Sequence, residues 1–149
     1  MKNFVRTVLG TVIGATTFTT ASVANIEPLH AQNSFNASGL WRCRVANQGF
    51  DSNSSFTEET IISAYPNGSF KAQGMFVNAS GNYPFAASGN WNVNQTQQGA
   101  SLYFVGHRQD NWSGQSRFNR GGTLQNANYL TWQDASNGNQ TAVACERVG

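Results

Sequence analysis

The fold turns on Ser38-Gly39-Leu40-Trp41-Arg42-Cys43 and, about a hundred residues later, Ala144-Cys145-Glu146-Arg147-Val148, which hold the only two cysteines of the 149 residues. If Cys43 and Cys145 face each other across antiparallel strands, other facing pairs keep the same index sum, and 41 with 147 does so. Trp41 then lies opposite Arg147, close enough for a guanidinium to stack on an indole. One pairing thus supplies a covalent staple and a cation–π contact between the first strand and the last. In this register Trp41, Cys43 and Val45 point inward with Val143, Cys145 and Arg147, while Leu40, Arg42, Arg44 and Glu146 point outward.

Outward from these two stretches the pattern is period two. Phe85, Ala87, Gly89, Trp91 and Val93 alternate with Ala86, Ser88, Asn90, Asn92 and Asn94, as a half-buried strand requires. Phe70, Ala72, Gly74 and Phe76 do the same, as do Leu102, Phe104 and Gly106. Turn-forming runs separate these segments: Pro66-Asn67-Gly68, Ala79-Ser80-Gly81-Asn82, Gln97-Gln98-Gly99, Arg120-Gly121-Gly122 and Ser136-Asn137-Gly138-Asn139. The reading is eight strands near 39–47, 56–65, 69–78, 83–94, 100–108, 111–119, 123–132 and 140–148, joined mostly by hairpins, with no helical stripe after residue 24. Such a meander either closes into a barrel or stays as two packed sheets. Joining the first strand to the last removes both free edges, so an all-β, eight-stranded antiparallel up-and-down barrel is expected. Its small core-face positions, among them Ala72, Gly74, Ala87, Gly89, Gly106, Gly114 and Ala142, fit either a tapered, filled interior or one left partly open for a ligand.

The N-terminal residues read differently. Lys2 and Arg6 precede an apolar run from Val8 to Phe18, and Ser22-Val23-Ala24 offers a cleavage site, so 1–24 is expected to be a secretory signal peptide. Residues 25–37 read as a flexible lead-in and 38–149 as one barrel domain. The chain carries 9 basic and 7 acidic residues, and losing Lys2 and Arg6 leaves the signs equal. A nucleic-acid partner is therefore not expected, nor a membrane span. Two cysteines in a secreted or periplasmic chain point to a disulfide rather than a metal. Closing a loop of about a hundred residues is worth on the order of 4–5 kcal/mol in the chain-entropy model.

Gly39-x-Trp41 on the first strand with Arg147 on the last resembles the closing signature of the lipocalin and avidin families, whose barrels are eight-stranded meanders. Trp112-Ser113-Gly114-Gln115 resembles the Trp-Ser-Gly-Gln of the sixth strand in streptavidin-like proteins, and Leu130-Thr131-Trp132 resembles their seventh strand. The resemblance implies a small secreted barrel. It does not carry biotin binding across: Cys43 stands where that family places an Asn for the ureido oxygen, and Tyr103, Phe104 and His107 occupy the region of its fifth-strand Trp.

The chemistry-bearing residues favour binding over catalysis. His107, Asp110 and Ser113 are near in sequence, but nothing announces a nucleophile turn or oxyanion hole. Glu58 and Glu59, as strand neighbours, face opposite sides and cannot cooperate. His30 and His107 are lone histidines, so no metal or cofactor is expected. Trp91, Trp112 and Trp132 fall on separate strands and either fill the core or form a pocket in the barrel mouth, with Tyr103, Arg108 and Tyr129 as polar or aromatic partners. Two functions follow from these alternatives. One is capture of a small, partly apolar or aromatic ligand in the mouth away from Trp41. The other is a protein-interaction module, like a protease-inhibitor barrel or a surface component, that meets an extracellular protein or glycan through loops. The first calls for a cavity of a few hundred Å³, the second for a filled core with exposed Phe50 or Trp112.

Overall fold

The computed structural model describes residues 35–149 apart from 52, 53 and 98. The signal-peptide reading of 1–24, and most of the lead-in, lie outside the described residues. Eight strands run in sequence order round a closed barrel, each pairing antiparallel with the next. They are β1 (Gly39–Gln48), β2 (Phe56–Ala64), β3 (Ser69–Asn78), β4 (Gly81–Thr96), β5 (Gly99–Asp110), β6 (Gly114–Asn126), β7 (Tyr129–Ser136) and β8 (Asn139–Arg147).

The terminal pairing is the one the index sum requires: β1 meets β8 with Trp41 opposite Arg147, and Cys43 opposite Cys145 in a disulfide. The Arg147 guanidinium carbon lies 5.0 Å from the Trp41 ring centroid and 5.6 Å from that of Phe35. The Trp41 indole N–H donates to the Ala37 carbonyl at 2.8 Å, and Arg147 donates to the Asn36 carbonyl at 2.5 Å. Residues 35–37, the end of the segment read as a lead-in, are thus held against this end of the barrel, with Ala37 fully buried.

Alternation along each strand decides what fills the interior. Trp41, Ile62, Phe70, Leu102, Phe104, Phe118 and Leu130 are completely buried and pack the half of the barrel that Trp41 and Arg147 close. Their rings meet edge-on or tilted, Trp41 with Phe104 at 6.1 Å and Phe70 with Phe118 at 5.5 Å, the geometry aromatic quadrupoles prefer. This half is a filled core. The other half holds charge, described below.

The ladders correct three readings of the sequence. Arg120-Gly121-Gly122 is not a turn: β6 runs through it, and the β6–β7 turn falls at 127–128, where the Asn126 side chain accepts the Asn128 N–H at 2.8 Å. Glycines occupy 121 and 122 because the neighbouring strands come too close for a side chain. A Cβ on Gly121 would sit 2.2 Å from the Leu102 carbonyl oxygen, and one on Gly122 would sit 2.3 Å from that of Thr131. Second, Trp112 and Ser113 lie in the β5–β6 turn rather than on the sixth strand. Third, Ala142 pairs with Ala46 and Gln133 on the outer face, because its neighbour Val143 is the inward residue.

One ladder is much shorter than the rest. β6 pairs with β5 from Gly114 to Thr123, but with β7 only at Thr123–Thr131, Leu124–Leu130 and, after a register shift, Asn126–Tyr129. These pairs lie at the Trp41 end. Towards the opposite end β6 and β7 diverge and leave a seam in the wall.

Candidate functional site

The half of the barrel away from Trp41 is organised by Glu58. On β2 the inward face reads Phe56, Glu58, Thr60, Ile62, so period two carries a carboxylate into the interior. A buried carboxylate needs cations and hydrogen bonds to offset its lost hydration. Arg108 on β5 and Arg120 on β6 supply them. Arg108 donates from Nη1 to Glu58 at 3.1 Å and from Nε to Asp110 at 2.8 Å. Arg120 grips Glu58 through both Nε, at 2.7 Å, and Nη2, a two-point clasp of one carboxylate. Thr60 Oγ1 donates to the same carboxylate at 2.9 Å. Aromatic faces cover both guanidinium groups, Phe85 at 4.1 Å and Phe76 at 5.1 Å from Arg108, and Phe118 at 4.9 Å from Arg120.

Asp110 extends this network into the β5–β6 turn. Its carboxylate accepts the backbone N–H of Ser113 at 2.5 Å and of Trp112 at 2.9 Å, besides the Ser113 hydroxyl and Arg108. The Ser113 N–H, opposed by burial and helped by the Ser113 hydroxyl and Arg108, brings the Asp110 pKa down to about 2. The turn is thereby fixed, and with it the Trp112 ring, which stacks on Phe76 at 5.7 Å and meets Tyr83 at 5.3 Å. Phe56 adds to this cluster, 4.9 Å from Phe76.

Beside this network, at the seam, is a cavity of about 280 Å³. Val45, Phe56 and Val143 give it an apolar floor, Trp132 and Arg120 stand on its two edges, and Thr141 adds a hydroxyl. Tyr103 reaches it from the outer face of β5 across Gly121, where a side chain would collide with the Tyr103 ring. Trp132 follows Leu130 on the inward face of β7, yet it is 42% exposed because no β6 residue pairs with it.

The aromatic residues singled out in the sequence are therefore dispersed. Trp132 and Tyr103 share the seam cavity. Trp112 stands at the same end but belongs to the Phe76 and Tyr83 stack, 56% exposed. Trp91 lies at the closed end, where its indole N–H donates to the Tyr65 carbonyl at 2.8 Å, and Tyr129 begins β7 at that end too. Arg108 is a buried structural cation, not an open anchor; the cation that borders the cavity is Arg120. In the sequence, Glu58 is weighed only as a partner of Glu59 and Arg120 only as part of a turn, and neither is assigned to a binding site. Their signal was available in part, since the alternation that separates Glu58 from Glu59 sends one of them inside, where it must find a cation. His107, Asp110 and Ser113 form no relay: His107 is on the outer wall, and Asp110 is inside, bonded to Ser113.

The chain matches no protein-family model and no curated protein. Among solved structures, a designed fluorescence-activating β-barrel is similar with a TM-score of 0.41 and 11% identity, over 76% of this chain and 94% of that one. The likeness to avidins and lipocalins stands at the level of an eight-stranded antiparallel barrel.

Proposed function

We propose that this protein is an exported, non-catalytic binder that holds a small, partly apolar or aromatic ligand in the seam cavity. The carrying observation is that the β6–β7 ladder stops at Thr123–Thr131, which leaves Trp132 beside Arg120 over an apolar floor. Trp132 offers a planar face, and Arg120, with three of its five N–H groups engaged, can still donate to an acceptor or anion on the ligand. The site is a pocket in the half of the barrel opposite Trp41, reached through the wall. The Cys43–Cys145 disulfide supports export to an oxidising compartment.

The test is native mass spectrometry of protein purified from its own host, combined with titration of anilinonaphthalene sulfonate, an aromatic anion suited to Trp132 and Arg120. A retained small molecule, and dye binding that Trp132→Ala weakens at least tenfold, are the expected results. Empty protein whose dye binding is the same in the variant would remove the reading.

A second reading rests on Phe50, 89% exposed in the β1–β2 connection, and on Trp112 at the same end. Exposed rings at one end of a barrel suit a protein-interaction surface. Phe50→Ser with Trp112→Ser should then abolish capture of an extracellular partner while leaving dye binding intact, and loss of dye binding with capture retained would count against it.

A further inference from the structure

The cations of this barrel divide into those with partners and those without. Arg42 and Arg44 meet Glu59, and Arg42 also meets Glu146. Arg108 and Arg120 hold the buried carboxylates, and Arg147 stacks on Trp41. Lys71 and Arg117 are exposed and form no ion pair among the described residues. Both project from the same outer wall, and the ladders set them in one row. Lys71 faces Ser88, Ser88 faces His107, and His107 faces Arg117. At the usual strand spacing the row spans about 14 Å.

The wall opposes these cations with no carboxylate of its own. β3, β4 and β6 contain neither Asp nor Glu, and the one acid of β5, Asp110, is buried inside. The row next to it reads Gln73, Ala86, Gln109, Gln115. Ala86 and Ser88 make β4 low where its neighbours are tall. A groove of about 360 Å³ results, with Lys71 and Gln73 on one side, His107 and Gln109 on the other, and Gln115 beyond. Arg117 stands next to His107 at its edge.

We propose that this outer groove binds an acidic saccharide, a chain of uronate-type sugars lying across β3 to β6. Lys71 and Arg117 would each take a carboxylate. The glutamine amides, the Ser88 hydroxyl and a His107 ring N–H would pair with ring hydroxyls, for which side chains that both donate and accept are suited. Among the described residues, no Phe, Tyr or Trp lines this groove to offer an apolar ligand a ring to pack on. Single-stranded nucleic acid is disfavoured because these rows lack the stacking rings it uses.

The experiment is calorimetric titration of the full chain with tetragalacturonate at low salt, alongside maltotetraose, tripolyphosphate and oligothymidylate. Tetragalacturonate should bind and maltotetraose should not, and the signal should fade by about 0.5 M salt as exposed charges are screened. Lys71→Gln with Arg117→Gln should weaken binding at least tenfold, and Ala86→Trp, which fills the floor without altering charge, should do the same. Arg44→Gln, on the other wall, should leave it unchanged. No binding of tetragalacturonate overturns the proposal. So does equal binding of tripolyphosphate or oligothymidylate, or an Arg44→Gln loss as large as that of the double variant. Unchanged thermal melting of the variants separates lost contacts from lost fold.

Discussion

Glu58 is 3% exposed and lies between two arginines, so its charge and theirs are mutually necessary. Glu58→Gln would keep the shape but leave Arg108 and Arg120 short of a counter-charge, and truncating one side of a buried pair costs about 3–5 kcal/mol. Urea unfolding at neutral pH should show a loss of that size. Glu59→Gln, one residue along and on the exposed face with Arg42 and Arg44, should change stability by less than about 1 kcal/mol. Asp110 gives the pH counterpart. Its folded pKa, about 2, is below the 3.8 ordinary for an aspartate, so its contribution is complete above about pH 4 and fades as pH falls towards 2. Thermal melts between those limits should drop in the wild type, and the drop should be smaller in Asp110→Asn, which starts from a lower melting point. The same residue pins the Trp112 turn, so Trp112 fluorescence should hold down to about pH 3 and shift only as the folded carboxylate protonates near pH 2.

Strand β6 is the weak element. Beyond Thr123 towards the Gly114 end it is bonded on one side only, to β5, and β7 from Trp132 to Ser136 is bonded only to β8. Amides that point into a seam exchange through small local openings, whereas those in two-sided ladders wait for larger ones. Hydrogen exchange should therefore be fastest, among strand residues, for the seam-facing amides of β6 and β7, and slowest in β4 and β5. Gly122 is what lets β6 and β7 pinch shut above the seam. Gly122→Val would push a side chain into the Thr131 carbonyl and the Trp132 side chain, at a cost of about 1–3 kcal/mol, and would widen the opening. A denaturation midpoint unchanged from wild type would show that the seam absorbs the added bulk.

Across the whole molecule, closure depends on β1 and β8. The disulfide spans 102 residues, a constraint on the unfolded chain worth on the order of 4–5 kcal/mol. Cys43→Ala with Cys145→Ala should lower unfolding free energy by about that amount while the barrel persists, because β1 still pairs with both β2 and β8 and the Trp41–Arg147 stack remains. The arrangement of functions follows the same geometry. One half is filled with aliphatic and aromatic side chains, the other with ions under aromatic cover. Two spaces open at the wall, a seam between β6 and β7 and a groove across β3, β4 and β5.

What the sequence determined by itself was whatever depends on parity and pairing. Alternation is a property of each strand alone, so Trp41, Cys43 and Val45 could be placed inside, Glu58 could be separated from Glu59, and one index sum settled the β1–β8 register. Turn chemistry was nearly as legible, but Arg120-Gly121-Gly122 has the composition of a turn while serving as a close crossing, and only neighbouring backbone distinguishes the two. The sites depend on distant pairs. Glu58 meets Arg120 across 62 positions, and Trp132 is exposed because strand β6 turns away from it. Local propensity encodes neither fact, because both arise from how eight strands share the tilt and stagger needed to close one barrel. The terminal stretches could therefore reveal that the barrel closes, while the folded molecule alone decided where its wall stays open.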